Sequence, residues 1–136
     1  MSLPEFRLRV TVEASLSLSE DPAKVKAAML NVLGEAGYTL EEGSRLLKMA
    51  ADDPRSIKKL HDQLRDRHVR SAARRLFNLG RQGNSTRVMI NRQAAHAGVL
   101  ALCSAPEESA LGPIYLTIES RELDAVIQWL TAYEAG

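Results

Sequence analysis

Several things are scarce in this chain, and each scarcity narrows what it can be. It has one cysteine, Cys103, so no intrachain disulfide can form, which suits a reducing compartment. Cys103 lies in the apolar stretch "VLALCS" with no histidine or basic neighbour to activate it, and reads as a small buried hydrophobe. Two Phe, one Trp and three Tyr are all its aromatics, too few for the base-stacking pattern of an RNA-recognition-motif sheet. No apolar run approaches the roughly 18–20 residues that span a bilayer. Met1 to Arg9 carries no apolar core of a signal peptide, so a cytoplasmic protein with no membrane partner is expected.

Catalytic signatures are missing as well. Three histidines (His61, His68, His96) form no HExxH pattern, and no CxxC or paired-carboxylate spacing occurs. "GRQGNST" (80–86) has the glycines of a phosphate loop but not the Lys-Ser/Thr, and it follows a helix where a phosphate loop follows a strand. It reads as a helix cap and turn. There is no GxSxG and no grouping of Ser, His and Asp. The expectation is a protein that is not an enzyme, with no cofactor and no metal.

What is present is a chain of 136 residues, 45% hydrophobic and 26% charged, enough for a single α+β domain with its own core. Its net charge of +1 conceals a strong polarity. Between Pro54 and Gln82 stand nine basic residues (Arg55, Lys58, Lys59, Arg65, Arg67, Arg70, Arg74, Arg75, Arg81) against two acids, a surplus of seven. The remainder holds nine basic and fifteen acidic groups. That polarity is the strongest physical pointer to a partner.

"FRLRVTVEA" (6–14) alternates apolar and polar residues and predicts a half-buried strand. "SEDPAKVKAAMLNVLG" predicts a helix, with Asp21 as cap, Pro22 in the first turn and Gly34 at the end. "YTLEEGSRLLKMAA" predicts one or two short strands about Gly43. A second Asp-Pro signal, Asp53-Pro54, opens a basic helical stretch. Its apolar positions Ile57, Leu60 and Leu64 do not share a face with Val69, Ala72, Ala73 and Leu76, so two helices broken near Asp66–His68 are expected. "STRVMIN" (85–91), "VLALCS" (99–104) and "LGPIYLTIES" read as strands. "SRELDAVIQWLTAYEAG" reads as a helix burying Leu123, Val126, Ile127 and Leu130, with Trp129 and Tyr133 beside them. The order β-α-β-α-α-β-β-β-α predicts a mostly antiparallel sheet with helices packed on one side.

Arg67, Arg70 and Arg74 recur at i, i+3 and i+7, and Arg75, Lys58 and Lys59 widen the basic surface. Guanidinium groups spaced by helical turns suit a nucleic-acid backbone; a protein interface or a solvated face are the other readings. The polar strand faces, with Arg7, Arg9, Arg87 and Asn91, are expected to form a second basic surface, an RNA platform suited to backbone and shape contacts. "INRQAAHAG" (90–98) reads either as a structural connector or as a place where Arg92 and Gln93 touch a ligand.

Two separated segments, "NRQAAHAGVLALC" and "ESALGPIYLTI", together with "EDPAKVKAAMLNVL", resemble a family of small uncharacterised archaeal proteins with an expected role in RNA binding. The family is similar in fold to the ribosomal protein that binds 5S ribosomal RNA. Its Asn-Lys-Gln-Ala-Ala segment corresponds to Asn91–Ala95, with Arg92 in place of Lys. Its Ser-Pro-Leu-Gly-Pro-Ile segment corresponds to Ser109–Ile114, with Ala110 in place of Pro. The resemblance runs from about Leu8 to Leu130 and implies a non-catalytic protein that binds structured RNA. Relatives resembling fusions to a nucleotide-kinase-like domain imply, as the alternative, a module docking an acidic protein partner. A homodimer through an exposed strand edge or the flank of the last helix is a further expectation.

Overall fold

A computed structural model describes residues 4–132. The chain runs through β1 (Arg9–Ser15), α1 (Pro22–Leu33), β2 (Thr39–Glu42), β3 (Leu46–Ala51), α2 (Lys58–Asp66) and α3 (Arg70–Leu79). It continues through β4 (Arg81–Gln82), β5 (Ser85–Ile90), α4 (Arg92–His96), β6 (Leu102–Cys103), β7 (Ile114–Glu119) and α5 (Leu123–Thr131). The seven described strands form one sheet in the order β2-β3-β1-β7-β5-β4, with β6 beside β5, and every pairing is antiparallel. The α+β class expected from the sequence is the one observed.

Strand alternation makes a two-layer molecule. Val10, Val12 and Ala14 of β1 stand in register with Ala51, Met49 and Leu47 of β3, and Leu116 of β7 lies beside both Val12 and Val88 of β5. This face is buried beneath Val25, Met29 and Leu33 of α1, Leu60 and Leu64 of α2, Phe77 of α3 and Val126 and Leu130 of α5. The opposite face carries Thr11, Glu13, Lys48, Arg87, Tyr115 and Thr117, all half-buried or exposed. The polar strand faces thus form an open surface, on which Arg87 lies 4.2 Å above the Tyr115 ring.

The basic helix is broken as the two apolar stripes require: α2 ends at Asp66 and α3 begins at Arg70, with His68 at a φ of 55° between them. The stripe of α3 differs from the expected one. Ala73 and Phe77 are fully buried and Ala72 is exposed, so the buried line steps by one turn through positions 69, 73 and 77.

Other differences have local causes. The segment 38–51 forms a hairpin of two strands, where the expected order counted one. β1 starts at Arg9 because the Arg7 backbone is held by the start of α5: its N–H donates to Glu122 Oε2 (3.0 Å), and its carbonyl accepts from Ser120 Oγ (2.7 Å). The strand expected over 99–104 shrinks to two residues. Gln63 receives the Leu100 N–H (2.7 Å) and donates to the Gly98 carbonyl (2.6 Å), removing both from any ladder. The stretch after β5 folds as the short helix α4. Tyr133, expected on the last helix, lies outside the described residues.

Candidate nucleic-acid interface

The two basic helices meet different surroundings. Asp53 caps the helical turn 54–57 that leads into α2, its carboxylate accepting from the Arg55 N–H (2.9 Å) and pairing with the Arg55 side chain (2.7 Å). Lys58 is exposed and pairs with Asp62 one turn on (2.8 Å), an interaction that holds its ammonium pKa above the ordinary value. Lys59 is half-buried and has no ion pair among the described residues. With Arg55, Gly34, Glu35 and Asp62, these lysines line a shallow cleft of about 290 Å³.

Arg67, Arg70 and Arg74 do not form one solvated row. Arg67 caps the end of α2, before the break, and donates to the Leu100 carbonyl (3.2 Å). Arg70 and Arg74 share a face of α3, but they flank the buried line 69-73-77 and so point across to α5. Arg70 donates to the Ala132 carbonyl. Arg74 donates to Thr131 Oγ1 (3.0 Å), to the Thr131 carbonyl (3.2 Å) and to Gln128 Oε1 (3.3 Å). The three guanidinium groups therefore do not face a ligand as one row: Arg70 and Arg74 are ties to the end of α5, while Arg67, bonded to the Leu100 carbonyl, stays exposed. Arg75, the next residue round the helix, is exposed and has no partner among the described residues. It borders a groove of about 140 Å³ with Arg67, Leu76, Leu102 and Ser104.

The Asn91–Ala95 segment has a structural task. Asn91 caps α4, accepting from the Ala94 N–H (2.9 Å) and donating to the Glu108 carbonyl (3.2 Å). The Arg92 side chain is only 6% exposed, against Glu20 at 2.6 Å with the Ser15 carbonyl at 2.8 Å. Its backbone N–H donates to Ser109 Oγ (2.9 Å), while Gln93 Nε2 donates to the Ala110 carbonyl (2.8 Å). Both side chains lock α4 to the 109–113 loop and to the turn before α1; where the sequence suggested an RNA contact, the Arg92 guanidinium is spent inside the protein, whereas Gln93 stays exposed. Gly112, at a φ of 91°, turns that loop beside the guanidinium. Glu20 and Ser109 do not stand out in the sequence. The Ser17-x-x-Glu20 spacing is the one available signal, since Glu20 accepts the Ser17 N–H (2.9 Å).

Burial pushes the Glu20 carboxyl up, but the Ser17 N–H and the Arg92 guanidinium outweigh it and hold the pKa below the usual value. Beside this pair, α1 and α4 frame a cleft of about 340 Å³ whose wall includes Lys24, Val25, His96 and Leu111. His61 stacks flat on Trp129 (4.0 Å between ring centres) and approaches Asp62 (3.2 Å). Among the described residues no three His, Cys, Asp or Glu side chains stand together as a metal site, and no helix is long and apolar enough to cross a membrane.

No family model matches the chain. A UPF0201 protein of Metallosphaera sedula is 37% identical over 123 residues, which span 90% of this chain and 86% of that protein. A UPF0201 protein of Aeropyrum pernix is 34% identical over 127 residues, spanning 91% and 85%. The crystal structure of a UPF0201 protein from Methanococcus jannaschii superposes with a TM-score of 0.78 at 26% identity, covering 94% of this chain and 96% of that one. Mth689, a DUF54 protein from Methanothermobacter thermautotrophicus, shares the fold with a TM-score of 0.65 at 17% identity, over 93% and 99% of the two chains.

Proposed function

This chain belongs to the archaeal UPF0201 family, and from that premise we propose that it is a non-catalytic cytoplasmic protein that binds structured RNA through its phosphates. The observation that carries the reading is the surplus of seven positive charges over residues 54–82, part of which remains available at the surface after internal pairing. Lys59 and Arg75 lack partners among the described residues, and Lys58 and Arg67 are exposed. These four, in place of the wider set drawn from the sequence, form the phosphate-binding surface. Phosphate contacts position a nucleic acid without reading its bases, so affinity falls steeply with salt and sequence preference is weak. The scarcity of aromatics favours a structured target over stacked single strands. The reading includes a fold related to that of the ribosomal protein that binds 5S ribosomal RNA.

Filter binding with structured RNA, duplex DNA and single-stranded RNA across a salt series tests this. Replacing Lys58, Lys59 and Arg75 by Ala is expected to weaken binding and to reduce the salt slope by about one for each phosphate that is no longer neutralised. Arg70→Ala and Arg74→Ala are expected to lower stability with little change in slope. Absence of binding by the parent chain at low salt overturns the proposal. It directs attention to an acidic protein partner, such as a nucleotide-kinase-like one, docking on the same surface.

A further inference from the structure

The two edges of the sheet are not alike. At one side β4 and β6 are two residues each, too short to offer a ladder. At the other, β2 runs Thr39–Glu42 with all four residues exposed and nothing beyond it among the described residues. We propose that β2 is a self-association edge: two copies pair antiparallel through it, Leu40 against Leu40 about the twofold axis, and join their sheets into one.

The backbone points the right way for this. Gly43 N–H donates to the Leu46 carbonyl (2.8 Å) at the tip of the β2–β3 hairpin, and the register continues through Glu41 opposite Lys48 and Thr39 opposite Ala50. In an antiparallel ladder hydrogen-bonded and non-bonded pairs alternate, so residues 39, 41 and 43 spend their groups on β3. Leu40 and Glu42 then aim their N–H and carbonyl groups outward. A twofold axis perpendicular to the sheet must pair residues of the same face, which leaves two central registers. Centring on Glu41 sets like charges directly opposite each other and places Leu40 across from Glu42, both unfavourable. Centring on Leu40 makes Leu40–Leu40 and Glu42–Tyr38 the bonded pairs and sets Thr39 across from Glu41.

Side chains agree with that register. Leu40 is 38% and Tyr38 43% exposed. Charged residues on an edge usually repel a second strand, yet one acid of β2 is ion-paired within its own protomer and the other has a lysine as its cross-strand neighbour. Glu42 is ion-paired to Lys26 of α1, and Glu41 stands directly across from Lys48. The edge is therefore close to neutral. A four-residue ladder makes a small interface, so the dimer dissociates on dilution.

Sedimentation velocity of the full chain over a concentration series is expected to show a monomer–dimer equilibrium. Leu40→Arg, which places like charges on the axis, is expected to hold the mass at that of the monomer. Leu79→Arg, at a site 72% exposed just before β4 on the opposite edge of the sheet, leaves the equilibrium unchanged. Leu40→Cys is expected to cross-link two chains on mild oxidation, whereas the parent chain, with Cys103 buried, does not. Amide exchange gives a readout without substitution: protection of Leu40 and Glu42 rises with concentration, while Thr39 and Glu41 are protected throughout. A monomer at every concentration overturns the proposal, as does a dimer that tolerates Leu40→Arg, or failure of the Leu40→Cys chain to cross-link.

Discussion

Arg92 is the residue most easily misread from the sequence, because a cation in a loop-like stretch suggests a ligand. Its partner Glu20 lies seventy-two positions away, and no local pattern joins them. Removing one member of a buried pair strands the other without compensation, at a cost of about 3–5 kcal/mol. Arg92→Met is therefore expected to lower the urea midpoint strongly, and adding Glu20→Gln to recover part of the loss. Glu20 also makes a prediction about pH. Its folded pKa is held below the ordinary glutamate value, so its contribution is complete above that ordinary value and is lost as pH falls through the folded pKa. Acid titration of stability is expected to decline less in Glu20→Gln than in the parent chain across that acid window. An equal decline in both removes Glu20 from the explanation.

At the scale of elements, what is long and periodic can be read directly. β1, α1, α5 and the break between α2 and α3 follow from alternation, caps and rotated stripes. α4 cannot be read this way, since five residues hold too little of a period to register. β6 is short for a reason that lies in α2, where Gln63 takes the groups that a longer strand would use. The buried stripe of α3 departs from the one its sequence suggests, and with it changes the fate of Arg70 and Arg74. Arg74 fastens α3 to the last turn of α5 by hydrogen bonds from a charged donor in a half-buried site. Arg74→Ala is expected to cost about 1–2 kcal/mol. The loss should appear first as faster amide exchange in the last turn of α5, with the exchange of β1 and β7 unchanged.

For the whole molecule, the charge polarity visible in the sequence survives folding in reduced form, because several of the basic groups are spent on internal ties. Weak polyanion binding, on the order of 10⁻⁴–10⁻⁶ M at physiological salt, is common to basic surfaces. The decisive quantity is thus the ratio of RNA to duplex DNA affinity, expected to exceed one at every salt concentration. A ratio of one reduces the surface to a generic cation patch. The topology has a consequence for biosynthesis. β1 precedes the other described strands in the chain and lies in the middle of the sheet, yet one of its two neighbours, β7, is the last described strand to be made. While the polypeptide grows from the ribosome, β1 can join β3, but its other side stays unpaired and its apolar face only partly covered. The sheet closes only once β7 has been made, and until then the nascent chain presents an unpaired strand edge that a chaperone can shield.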